Sequence, residues 1–119
     1  MYKVEKKGNT LIIETRGFFS QQEGDNFIAD YKKTLATIDP QKTNLILDGA
    51  DLKTSAQDVI PILKNCISMY LEDKFNKVLV VEFKSTLTQS QVMRLCKETG
   101  FDKRIIMVKS IEEGLKQSL

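Results

Sequence analysis

Two short runs with no polar residue constrain this chain most: Leu45-Ile46-Leu47 and Val78-Leu79-Val80-Val81. A strand with one wet face alternates apolar and polar side chains, whereas a strand covered on both faces does not. Between and after these runs the apolar residues change period. Val59, Ile60, Leu63, Cys66, Ile67 and Tyr70 recur at helical spacing, and Val92, Leu95 and Cys96 do the same. Strand, helix, strand, helix is the pattern of an α/β domain with parallel pairing.

The rest of the chain fits around that unit. Tyr2 and Val4 alternate with charged residues up to Lys6, and Leu11 and Ile13 lie on one face of a segment from Thr10 to Thr15. Gly8-Asn9 between them is a two-residue hairpin signal. Ser20-Gln21-Gln22-Glu23 is a capping box, and it opens a helix with Phe27, Ile28, Tyr31, Leu35 and Ile38 on one face. Gly24 weakens the first turn of that helix, and Asp39-Pro40 ends it. Asn44 to Asp48 is the next strand. Pro61 sets the start of the second helix: Asp58 as cap leaves the missing amide inside the first turn, where it costs nothing. Residues 49–57 then form a loop. Lys77 to Phe83 is a strand, and Ser85 to Thr88 a hydroxyl-rich turn. A third helix stops at Gly100. Arg104 to Val108 is the last strand, and Ser110-Ile111-Glu112-Glu113 is a second capping box opening a short helix. The expected order is ββαβαβαβα: one domain over 1–119, α/β class, with a mixed, mostly parallel five-stranded sheet and flanking helices.

Composition narrows the function. The 119 residues carry 18 basic and 16 acidic side chains in interspersed order, with no run that marks a nucleic-acid face. There is no histidine, which removes the commonest acid–base group near neutral pH and the commonest metal ligand. Cys66 and Cys96 follow no paired spacing and read as buried, reduced thiols. No cofactor or metal site is expected. No apolar run approaches the roughly 20 residues of a membrane span. The first residues have no signal-peptide character, so the expected location is the cytoplasm.

The richest segment chemically is the Asp48–Asp58 stretch, which holds Asp48, Asp51, Lys53, Thr54, Ser55 and Asp58 between a strand and a helix. The carboxyl ends of strands are where sites gather in open α/β sheets. Thr54, Ser55 and Asp58 can simply satisfy the free amides of a helix start. A phosphate on Thr54 or Ser55 would gain from the same amides and from the helix dipole. A third reading is a small enzyme or a receiver-like aspartyl phosphoacceptor centred on Asp48, with Ser85, Thr86 and Lys109 after the following strands. Only one acid, Glu14, stands where a receiver holds an acidic pair for magnesium.

The element order over nearly the whole chain, and the local run Leu45 to Leu63, resemble the STAS domains of bacterial anti-sigma-factor antagonists. In those antagonists a strand ending in aspartate leads to an Asp-Ser-Ser-Gly-like turn and an apolar helix. Here Asp48 ends the strand, Thr54-Ser55 fall near the hydroxyl pair, and Val59 to Leu63 open the helix. Lys53 stands where an aspartate precedes the hydroxyls, Ala56 replaces the glycine, and the loop is slightly shorter. The resemblance implies a non-catalytic module that binds a protein, either a partner kinase or a larger regulatory assembly. The loop and the exposed face of the second helix, with Lys64 and Asn65, would make the contact. A homodimer through an edge strand or an exposed apolar face is left open.

Overall fold

The computed structural model describes residues 1–53 and 60–118. Its elements are β1 (Tyr2–Lys7), β2 (Thr10–Gly17), α1 (Gln21–Leu35), β3 (Asn44–Leu52), α2 (Ile60–Asp73), β4 (Val78–Val81), α3 (Thr86–Thr99), β5 (Ile105–Val108) and α4 (Ile111–Gln117). The five strands form one sheet in the order β1-β2-β3-β4-β5. β1 and β2 are antiparallel, and the other pairs are parallel. The expected order and sheet class are those observed.

Because the strands follow one another in space as in sequence, successive right-handed crossovers lay their helices on the same face. α1, α2 and α3 accordingly share one core with the sheet, built on Leu11, Ile13, Leu45, Val78 and Val80. The opposite face carries Ile12, Ile46, Leu79, Val81 and Val108, covered by Ile111 and Leu115 of α4. This arrangement accounts for the unbroken apolar runs. Leu45 faces the three helices, Ile46 faces α4, and neither is exposed. Gly114 lets α4 approach: a Cβ there would meet Ile46 Cδ1 at 3.1 Å.

The local signals act largely as their chemistry dictates. Gly8 takes φ +57° in the β1–β2 turn. Ser20, Ser85 and Ser110 each accept the backbone amide three residues on, from Glu23, Thr88 and Glu113. Glu113 reaches one residue past its cap to accept the Lys109 amide at 2.8 Å, while the Glu23 carboxylate turns to the Met1 ammonium at 2.5 Å. Asp39 caps a single 3-10 turn over Pro40–Lys42. Gly100 ends α3 at φ +84°. Gly24 does more than weaken a turn. It is where α1 meets α2, since an added Cβ would lie 2.6 Å from Ile62 Cγ2.

Several boundaries differ from expectation. α1 ends at Leu35, ahead of Ile38 and Asp39-Pro40, and Pro40 opens the separate 3-10 turn. β4 stops at Val81, which releases Phe83 to pack against Gly49. The turn expected over Ser85 to Thr88 is the cap and first turn of α3. Most consequentially, residues 49–52 are not loop, because β3 runs on to Leu52 and β2 to Gly17. The two strands pair Glu14 with Asp48 and then Arg16 with Asp51. β2 advances two residues there while β3 advances three, so β3 carries a bulge at Gly49-Ala50. The extra residue inverts the alternation. Leu52 therefore returns to the helix-covered side with Phe19 and Leu63, although a regular strand from Leu45 and Leu47 would turn it away. A sequence reading based on period two sees this inversion as the end of the strand.

Candidate functional site

The site is the rim where the parallel strands end. β3 brings Asp48 and Asp51 there, and Lys53 directly follows its last residue. Asp48 is half-buried, and its Oδ1 accepts the Ala50 amide at 3.1 Å across the bulge. Asp51 is exposed and paired with Lys84 Nζ at 2.8 Å. The Lys84 hydrogen bond holds the Asp51 carboxyl below its usual range, and Asp51 in turn raises the Lys84 ammonium. The Lys53 amide donates to the Gly17 carbonyl at 3.0 Å, which leaves its side chain at the surface. The floor beneath is apolar: Gly49 admits the Phe83 ring, whose Cε1 would lie 2.8 Å from a Cβ at that position.

Lys64 and Asn65 are exposed on α2. Lys64 Nζ lies 3.5 Å from Glu98 of α3, a bridge between helices. Thr54, Ser55 and Asp58 lie outside the described residues, as does the start proposed for the second helix. Within the described part of α2, Pro61 is the second residue. Two groups of the receiver reading have other engagements. The Ser85 hydroxyl oxygen caps α3, and Glu14, opposite Asp48, is bound to Arg16 at 3.2 Å. Among the described residues no three Cys, Asp or Glu side chains converge as a metal site.

Two features of this rim escape a motif search. Phe18, just past β2, is 71% exposed, and Leu87, in the first turn of α3, is 72% exposed. Both flank the end of β3 at the carboxyl rim. The duplicated Phe18-Phe19 is the available signal: Phe19 is buried against Leu52, and adjacent residues of extended chain point opposite ways. The other missed partner is Lys84, which pairs with Asp51 only because β3 continues as a strand.

Two hollows adjoin the rim. One, of about 110 Å³, lies between the sheet and the helices; it is apolar, and Asp48 and Gly49 border it. The other, of about 320 Å³, sits around Met1, Lys3, Glu14 and Arg16 and includes neither Asp48 nor Asp51. A deep polar pocket with both aspartates, the arrangement an enzyme centred on Asp48 needs, is not among these hollows. Burial pushes the Cys66 thiol up to about 12 and that of Cys96 up to about 11, so both stay protonated and poorly nucleophilic near neutral pH. No helix among the described residues is long and apolar enough to cross a membrane.

No family profile matches the sequence. No curated protein matches it either. Solved structures do. The anti-sigma factor antagonist SpoIIAA in its unphosphorylated form is similar at a TM-score of 0.67 and 12% identity, over 98% of this chain and 95% of that one. An anti-sigma factor antagonist from Mycobacterium paratuberculosis is similar at 0.62 and 14%, over 99% and 92%. At such identities the likeness is one of backbone architecture: this chain has the STAS fold of the anti-sigma factor antagonists.

Proposed function

We propose that the chain is a non-catalytic regulatory module that binds a protein partner across the carboxyl rim. Asp48, Asp51, Lys53 and Asp58 form the polar part of the contact, and Lys64 and Asn65 extend it along α2. A partner kinase that phosphorylates Thr54 or Ser55 switches the contact, by adding about two negative charges beside it. The observation that carries this reading is the exposure of Phe18 and Leu87 on either side of the β3 end. Aromatic side chains are enriched at protein interfaces relative to the rest of the surface, and Phe18 and Leu87 offer apolar contacts beside the charged groups of the rim. The fold supports the same class of role, since both structural neighbours are anti-sigma factor antagonists and one is described in its unphosphorylated form.

The alternative, an enzyme or aspartyl phosphoreceiver at Asp48, has less support. Its candidate hydroxyl and acid are engaged in capping and pairing, and the hollow beside Asp48 is apolar. The test is affinity capture from the source cells with the native chain and with a Phe18→Ser/Leu87→Ser double variant, plus mass spectrometry of residues 54 and 55. A protein captured by the native chain and lost with the variant, with phosphate on Thr54 or Ser55, is the expected result. Equal capture by both chains contradicts the rim assignment, and unmodified Thr54 and Ser55 under every growth condition contradict the switch.

A further inference from the structure

The apolar hollow between the sheet and α1–α3 measures about 110 Å³. Protein interiors pack like organic crystals, with few voids larger than a water molecule. A dry engineered cavity of about 150 Å³ takes up benzene, so this one is large enough to matter. Ile13 and Val80 of the sheet, Phe27 of α1, Ile62 of α2 and Val92 of α3 are among its walls. The polar side chains on the described walls are few: Thr15 and Asp48 toward the rim, the two thiols, and Tyr70.

Tyr70 is the anomaly. Its side chain is 7% exposed and packs against Tyr31 and Phe101, with ring centroids 5.4 and 6.1 Å away. The Tyr31 hydroxyl donates to Asp73 at 2.6 Å, and that of Tyr2 donates to Asp30. The Tyr70 hydroxyl has no hydrogen-bond partner among the described residues. Buried phenols normally find one, and an unmet buried hydroxyl calls for a reason. Water is a poor answer, because a buried water wants two to four polar partners and these walls offer little besides the phenol.

We propose that this cavity is a binding site for a small uncharged molecule, a ring or short chain with one hydrogen-bond acceptor, which accepts a hydrogen bond from the Tyr70 hydroxyl. The volume limits the apolar body to about the size of a single ring. The absence of any basic residue from the described walls argues against an anion. The inference concerns the interior and stands whether or not the rim binds a protein.

The test is a methyl-detected NMR titration of the full chain with cyclopentanone and, separately, cyclopentane. Both are expected to shift the methyl signals of Ile62, Val80 and Val92 saturably. Tyr70→Phe is expected to weaken the ketone about fivefold, the scale of one neutral hydrogen bond, and to leave the hydrocarbon unchanged. Val92→Phe, which fills the hollow, is expected to abolish both titrations. Should Val92→Phe fail to fold, Tyr70→Phe still decides, since it removes an unsatisfied group and keeps the ring. Three results overturn the proposal: no saturable shift with either probe, equal ketone affinity in the native chain and Tyr70→Phe, or a long-lived water detected at the Tyr70 hydroxyl in the unliganded chain.

Discussion

The two ends of the sheet are built on opposite plans. At the amino end of the parallel strands, buried Asn44 and the groups around it are tied together by hydrogen bonds. Asn44 is 1% exposed; its Nδ2 donates to the Ser118 carbonyl at 3.0 Å, and its Oδ1 accepts from Asn76 Nδ2 at 2.9 Å. Its amide donates to the Asn9 carbonyl, the Asn76 amide to Thr43, and the Arg104 guanidinium to the Phe75 carbonyl. This end thus joins the β1–β2 turn, the entry to β3, the end of α2 and the end of α4. Among the described residues the carboxyl end is held by backbone pairing and by the Asp51–Lys84 and Glu14–Arg16 ion pairs, and it leaves Phe18 and Leu87 in water. A closed, satisfied network holds one end together, so the other can present side chains that contribute little to folding. On the proposed function, stability and recognition fall to opposite rims.

The largest way to break that contrast is Asn44→Ala. It removes two side-chain bonds from a buried site and strands the Ser118 carbonyl, with an expected loss of about 2–3 kcal/mol in urea unfolding. A loss no larger than that of a surface substitution would mean that the amino end is not the anchor. Next comes Gly49→Ala at the bulge. The new methyl meets the Phe83 ring, and an overpacking cost of about 1–2 kcal/mol is expected by the same measurement. A smaller effect belongs to the Asp51–Lys84 pair. Its carboxyl is held low in the folded chain, so the stabilisation is present above the ordinary carboxylate pKa and disappears as pH falls through the folded value. The difference in Tm between the native chain and Asp51→Asn should be small at pH 7 and vanish toward pH 3. The smallest effect is expected for Phe18→Ser with Leu87→Ser, whose Tm should match that of the native chain. A clear destabilisation would show that these side chains serve the fold rather than a partner.

Much of this architecture is written locally. The serine caps at Ser20 and Ser110, the stop at Gly100, and the unalternating Leu45–Leu47 and Val78–Val81 each follow from a property of a few adjacent residues, and each acts as that property dictates. What a sequence reading misses depends on pairing between distant segments. The bulge at Gly49-Ala50 exists only in register with Glu14 and Arg16, so Asp51 and Leu52 read as loop while they are strand. Lys84 looks like a solvated lysine until that strand extension brings Asp51 to it. Asn44 reads as an ordinary first strand residue, because its partners lie 32 and 74 positions away. Within the candidate site, the sequence singles out Asp48, Asp51 and Lys53 because they end or follow a strand. The apolar Phe18 and Leu87 were not, since exposure is a property of the assembled rim.

Amide hydrogen exchange on the chain, alone and with the protein it captures from source cells, tests the division between the rims most directly. The account predicts new protection confined to the segments around Phe18, residues 48–58, the part of α2 around Lys64 and Asn65, and residues 84–88. The segments around Asn9, Asn44, Asn76 and Ser118 should exchange slowly and equally in both states. Protection that appears at the amino end, or along α4, and leaves the carboxyl rim unchanged would contradict it.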